Sequence, residues 1–189
     1  ASHNRVMILE VMGRDAGWIG LHTSIAGGAE ICLIPEIPFN IKSIVKTINK
    51  RYKKGKGFVN IVISEGAKMG GEVIGKSEEG DANIKLGGVG NALRKALEDN
   101  GVKPDVRVAV LGHIQRGGTP VAFDRILATA FGVKAFEMIK EEKFGKMVCY
   151  INNVVAETTL KKAISSYNHI SKDHYLINTA RKIGISFGD

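Results

Sequence analysis

Apolar runs alternate along this chain with stretches of helical periodicity. RVMILEV, Arg5–Val11, reads as a β-type run, and a helical stretch follows from about residue 15 to 28. Residues 31–34 predict a short strand, closed by Pro35 and Pro38. Ile41, Ile44, Val45 and Ile48 share one face of the next predicted helix. A continuous apolar strand at 58–63 precedes a loop rich in glycine and charge over 65–80, then a helix near 89–99. Residues 106–111 predict a further strand, 121–142 a long helix and 147–151 one more strand, with helical segments finishing the chain. Strands that are apolar throughout, separated by helices, mark a parallel sheet covered on both faces. The expected fold class is α/β, a doubly wound parallel sheet of Rossmann-like type. No repeat or low-complexity linker interrupts it.

In open α/β sheets, ligands bind at the carboxyl ends of the strands. Three predicted strands end there in chemistry-bearing residues. EVMGRDAG places Met12, Gly13 and Arg14 after the first strand, and VISEG places Glu65 after the third. LGHIQRGGTP puts His113, Gln115 and Arg116 ahead of Gly117 and Gly118. A plain surface turn needs the glycines but not three long polar side chains before them. Two arginines suit a phosphate, and a carboxylate accepts sugar hydroxyl protons, so the rim reads as a sugar-phosphate pocket. Blander readings stand beside it. Arg14 next to Asp15 also fits a solvated pair at a helix start, Glu65 a turn residue, and His113 a satisfied core histidine. The stretch KLGGVG at 85–90 lacks a preceding strand and a Gly-Lys-Ser/Thr ending, and reads as a glycine-rich helix entry.

Composition adds limits. A chain of 189 residues, 44% hydrophobic and 24% charged, suits one globular domain or slightly more. The formal charge of +8 raises nucleic acid as a partner. Against that, aromatics make up only 6%, and the basic cluster NKRYKKGKG at 49–57 looks like a helix end, where the dipole favours Lys and Arg. Small polyanions such as phosphorylated metabolites account for the excess equally well. Cys32 and Cys149 lie in apolar runs and read as reduced, buried thiols of a cytoplasmic protein. No apolar run approaches the roughly 18 residues of a membrane span. The opening ASHNRVMILE enters a strand directly, as if the chain began mid-fold.

EVMGRDAGWIGLHTSIAGGAEICLIPE, SEGAK and VLGHIQRGGTPVAFDRILAT together resemble the later part of 6-phosphofructokinases, with matching spacing over residues 5–148. The similarity is to the bacterial branch that includes both ATP-dependent and pyrophosphate-dependent enzymes. It implies phosphoryl transfer to the 1-hydroxyl of fructose 6-phosphate, giving fructose 1,6-bisphosphate in glycolysis. Mg2+ and ATP or pyrophosphate are the implied cofactor and donor. Met12, Gly13 and Arg14 match the family's substrate motif, with Arg14 implied to stabilise charge on the transferred group. Glu65 matches an acid that binds sugar hydroxyls. His113, Ile114, Gln115 and Arg116 match the stretch that holds the 6-phosphate.

Arg5 and Arg107 match arginines that reach the substrate of a neighbouring subunit, which implies a homo-oligomer, dimer or tetramer. The geometry agrees, because side chains at the amino ends of strands cannot cross strands that extend about 3.3 Å per residue. Gly28, Glu30, Lys54 and Lys56 resemble residues of a nucleotide effector site, and read equally as a solvated basic turn. The family's nucleotide or pyrophosphate motifs, magnesium aspartate and Thr-Ile-Asp base motif precede Met-Gly-Arg and do not occur in this sequence. The resemblance therefore implies a C-terminal portion, without metal ligands of its own and inactive alone. Residues 1–114 would form a fructose 6-phosphate-binding α/β domain. Residues 115–165 would pack on an N-terminal donor domain of the same polypeptide, and 166–189 would form a helical tail. Beyond about Ala156 the family pattern fades. Two other classes stay open: a non-catalytic sugar-phosphate-binding or regulatory module and, on charge alone, a basic nucleic-acid-binding domain.

Overall fold

The structure of the protein, a computed structural model, describes residues 4–73 and 88–189. Its first half runs β1 (Arg5–Val11), α1 (Trp18–Gly27), β2 (Ile31–Leu33), α2 (Ile41–Lys53) and β3 (Phe58–Ser64). A short ribbon, β4 (Lys68–Met69) and β5 (Glu72–Val73), precedes α3 (Val89–Asp99) and β6 (Asp105–Val110). A 3-10 turn over Gly112–Arg116 leads to α4 (Ala122–Lys140), β7 (Lys146–Ile151), β8 (Val154–Thr159), α5 (Leu160–Ala163) and α6 (Tyr175–Lys182).

Four strands form one parallel sheet in the order β2-β3-β1-β6. The register sets Ile8 of β1 beside Ile61 of β3 and Val108 of β6. β-branched side chains at these positions fit a pleated surface packed on both sides. On one face Val6 and Ile8 pack with Ile44 and Ile48 of α2 and Leu93 and Leu97 of α3. On the other, Leu21 of α1 packs with Cys32, Ile34, Phe187 and Ile177 of α6. Each such fully buried side chain contributes about 1.5–3 kcal/mol. Local chemistry sets the helix ends. The Asn40 side chain accepts from the Lys42 amide at 2.8 Å to start α2, and Lys50, Arg51 and Lys53 complement the dipole at its end.

Several expectations need correction. α1 begins at Trp18 rather than near 15. Gly17 lies so close to Ile34 that a Cβ there would sit 2.4 Å from the Ile34 Cβ, and its amide goes to Glu36, so the chain turns helical only afterwards. The loop after Glu65 contains the β4–β5 ribbon; its residues 74–80 lie outside the described residues. Of the glycine-rich stretch at 85–90, residues 85–87 also lie outside them, while Gly88 stands at the N-cap of α3 with φ +78°. The sheet is not covered on both faces throughout. β6 is an edge strand buried mainly through Val106, and Val110 and Leu111 are exposed.

The chain divides into two compact units, Ala1–Gln115 with His169–Asp189, and Arg116–Asn168. In the second, the strand expected at 147–151 does not join the parallel sheet. It forms β7 and pairs antiparallel with β8, a strand the pattern did not predict. Asn152 and Asn153 make the turn with φ of +52° and +62°, the conformation of a two-residue hairpin. Cys149 on β7 is only partly buried. The tail is not purely helical either. From His169 it belongs to the first unit, and after α6 it runs extended, where Ser186 bridges Ile31 beside β2. Among the described residues, no helix is long and apolar enough to cross a membrane.

Candidate active site

The carboxyl ends of β1, β3 and β6 are tied together by the residues that follow them. Glu65 donates its amide to the Val11 carbonyl at 3.0 Å, and the Gly66 amide reaches the Gly13 carbonyl at 3.1 Å. In return the Gly13 amide donates to Oε1 of Glu65 at 3.3 Å. On the other flank the Met12 amide donates to Oε1 of Gln115 at 3.4 Å. Gln115 is itself held by its Nε2 donating to the Gly112 carbonyl at 3.1 Å. Met12, Gly13, Glu65 and Gln115 therefore form one connected rim.

Two glycines allow this approach. Gly13 has φ +141°, a conformation that side chains rarely adopt. A Cβ on Gly66 would lie 1.8 Å from the Arg14 carbonyl oxygen. Behind them stands Ser64, fully buried, with an Oγ that finds no partner among the described residues. That hydroxyl fills the space beside Gly13 and Gly20.

Arg14 is exposed and its contact with Asp15 is long, 3.9 Å from Nε to Oδ2. An exposed pair of that kind holds a side chain weakly, so the guanidinium remains available. Oε2 of Glu65 carries no hydrogen bond from the described residues, leaving one carboxylate oxygen for a ligand. His113 is exposed on the 3-10 turn, and the Ile114 side chain points away from any packing at 74% exposure. Arg116 is exposed and opens the second unit.

At the amino side of the sheet, Arg5 is the first residue of β1 and Arg107 the third of β6. Asp105 Oδ2 contacts both, at 3.2 Å from the Arg5 Nε and 2.9 Å from the Arg107 Nε. Glu30 is engaged inside the chain. Oε1 pairs with Arg51 at 2.6 Å, and Oε2 accepts from the Asn60 amide at 2.6 Å. Gly28 is the left-handed C-cap of α1, and Lys54 and Lys56 are exposed in the turn after α2. Burial pushes the Cys32 thiol up to about 12, which removes it as a nucleophile. Among the described residues, no group of three or more His, Cys, Asp or Glu side chains could hold a metal ion.

Sequence reasoning missed Asp105, the buried Ser64 and Glu10. Glu10 lies within β1 at 3% exposure and accepts from the Gly88 amide at 3.2 Å and the Gly90 amide at 2.8 Å, fixing the start of α3. A lone acid inside an otherwise apolar strand was the signal that could have found it.

The fold and rim thus define an α/β protein with cationic, acidic and amide side chains at strand ends. Comparison with known proteins narrows this. A family model described as Phosphofructokinase matches residues 1–139, and the chain belongs to the phosphofructokinase family. It is 46% identical over 191 residues to ATP-dependent 6-phosphofructokinase 2 of Clostridium perfringens, covering 100% of this chain and 52% of that protein. It is 43% identical to ATP-dependent 6-phosphofructokinase 1 of Synechocystis, again covering 100% of this chain and 52% of the relative. The chain spans about half the length of the curated relatives it matches. Among solved structures it superposes on a pyrophosphate-dependent phosphofructokinase from Marinobacter aquaeolei with a TM-score of 0.72 and 25% identity, covering 90% of this chain and 43% of that one. A phosphofructokinase from Saccharomyces cerevisiae gives 0.70 and 29%, covering 97% and 23%.

Proposed function

We propose that this chain supplies the acceptor side of a 6-phosphofructokinase, with fructose 6-phosphate bound at the carboxyl ends of β1, β3 and β6. The observation that carries this reading is the joined rim, in which Glu65 and Gln115 hold the Met12–Gly13 backbone while Arg14 keeps only a long, exposed contact with Asp15. The free oxygen of Glu65 accepts a sugar hydroxyl. His113 and Arg116 take the 6-phosphate, with Gln115 and the backbone at Ile114 shaping that end. The 1-hydroxyl oxygen attacks the terminal phosphorus of the donor and gives up its proton. The bond from that phosphorus to the bridging oxygen breaks, and the shortened donor leaves. Arg14 stabilises the charge spread over the transferred group.

ATP is the donor that the relatives at 46% and 43% identity favour, since both are ATP-dependent by name. Among the described residues no group of three or more His, Cys, Asp or Glu would seat Mg2+, whose ligands belong to a preceding half of the polypeptide. Base and donor contacts come from a preceding half of the same polypeptide. Residues 115–165 dock that half, a reading supported by the exposed Ile126, Phe136 and Ile139 on α4. Arg5 and Arg107 serve the pocket of a neighbouring copy. Within their own chain β1 separates Arg5 from Arg14 by roughly 20 Å of strand.

The test is turnover of the full polypeptide with fructose 6-phosphate and either ATP or pyrophosphate. Formation of fructose 1,6-bisphosphate with ATP supports the reading, and turnover with pyrophosphate alone corrects the donor. Sugar-phosphate binding without turnover by either donor makes the protein a binding module instead.

A further inference from the structure

We propose that Asp105 is a positioning residue that clamps Arg5 and Arg107 into one anion-binding fork. This rests on the reading above that these two arginines serve the sugar-phosphate pocket of a second copy.

The geometry is specific. Register pairing sets Arg5 directly beside Asp105 on neighbouring parallel strands. Arg107 lies two residues beyond Asp105, so both side chains leave the same face of β6. A single carboxylate oxygen, Oδ2, takes the Nε of both arginines, at 3.2 and 2.9 Å. An arginine held through Nε keeps both terminal nitrogens for another partner. Those four nitrogens make no recorded ion pair among the described residues.

The three side chains are also well exposed, at 40%, 46% and 61%. Exposed ion pairs contribute little to fold stability. The arrangement matters instead for what it prepares. Two guanidinium groups side by side repel each other, and without an anchor they would splay through their rotamers. The carboxylate offsets one of the two positive charges and fixes both planes, so less freedom is lost when an anion docks. Two adjacent forks with free terminal nitrogens suit a doubly charged phosphate, whose oxygens accept several charge-assisted bonds at once.

The experiment uses the full-length enzyme and three variants, Asp105→Asn, Asp105→Glu and Arg107→Ala. In Asp105→Asn the KM for fructose 6-phosphate should rise roughly tenfold, the scale of one charge-assisted bond. Its kcat, its KM for the phosphoryl donor and its melting temperature should stay near wild type. Asp105→Glu keeps the anchor charge and should recover most of the loss, which a merely structural role would not require. Arg107→Ala separates the two layers of the argument. If it leaves the KM for the sugar unchanged, the shared-pocket reading fails. If it raises that KM while Asp105→Asn does not, the shared pocket stands and the clamp is overturned. A lower KM in Asp105→Asn also overturns the clamp, because Asp105 would then be competing with the phosphate for the arginines.

Discussion

The Gly13 amide donates to Oε1 of Glu65 across 3.3 Å, and this bond joins the ends of two adjacent strands. Gly66 completes the junction, because its amide returns a bond to the Gly13 carbonyl at 3.1 Å. The segment that carries Arg14 is therefore held by backbone groups rather than by the arginine's own side chain.

Gly66→Ala tests how tight that junction is. Its new Cβ would stand 1.8 Å from the Arg14 carbonyl oxygen, too close for any relaxation short of moving the backbone. Overpacking of this kind costs about 1–3 kcal/mol. Urea denaturation of the full-length variant should show that loss, together with weaker fructose 6-phosphate binding. Wild-type stability would mean the backbones are not in contact.

Much of this arrangement was legible in the sequence. β1 could be bounded at both ends because a mostly apolar run, interrupted only by Glu10, starts after Arg5 and stops before Gly13. Glu65 and Gln115 could be placed on one rim because alternation with helices implies parallel strands, whose carboxyl ends share one edge. The contacts that hold the rim were not legible. Met12 with Gln115, and Gly13 with Glu65, join positions 103 and 52 residues apart, and no local pattern encodes such pairs. The hairpin was missed for a different reason. Asn152-Asn153 is a turn signal, but it directly follows the strand expected at 147–151, and no second strand is expected after it.

Glu10→Gln should destabilise the first unit. The carboxylate accepts two amides at the start of α3, at 3.2 and 2.8 Å, and is almost fully buried. An amide side chain keeps one acceptor, turns a donor toward a donor, and loses the charge that favours a helix N-terminus. The expected cost is about 1–3 kcal/mol. Hydrogen exchange at the first turn of α3 should accelerate with it; unchanged protection there would contradict the anchoring role.

Glu157 gives a pH dependence in the second unit. Hydrogen bonds from Lys146 at 2.6 Å and Lys143 at 3.1 Å hold its carboxyl down at about 2 in the folded protein, against an ordinary 4.5. A folded value below the unfolded one adds stability that is present above about 4.5 and lost as the pH falls toward about 2. Between those values the urea midpoint of the wild type should fall more steeply than that of Glu157→Gln. High salt should shrink the difference, since the group is at the surface. Parallel curves at low salt would rule the pairing out as a stabilising contact.

Subunit sharing can be read from mixed oligomers. Arg14→Ala and Arg107→Ala should each be nearly inactive alone, since every pocket then lacks one arginine. Unfolded together and reassembled, a mixed pair has one pocket lacking both arginines and one keeping both. Random pairing should restore up to roughly a quarter of wild-type activity across an isologous interface. Each variant reassembled with itself is the control. No gain while mixed oligomers demonstrably form would make Arg107 a structural charge of its own strand.

The central claim is that the rim after β1, β3 and β6 binds the acceptor sugar rather than the donor. Steady-state kinetics of the double variant His113→Ala, Arg116→Ala in the full-length enzyme tests it most directly. Losing two charge-assisted contacts to the 6-phosphate should raise the KM for fructose 6-phosphate by more than roughly tenfold. The KM for the phosphoryl donor should stay within about twofold, because the donor makes no contact with these side chains. A raised donor KM with an unchanged sugar KM would contradict the account and place the donor at this rim.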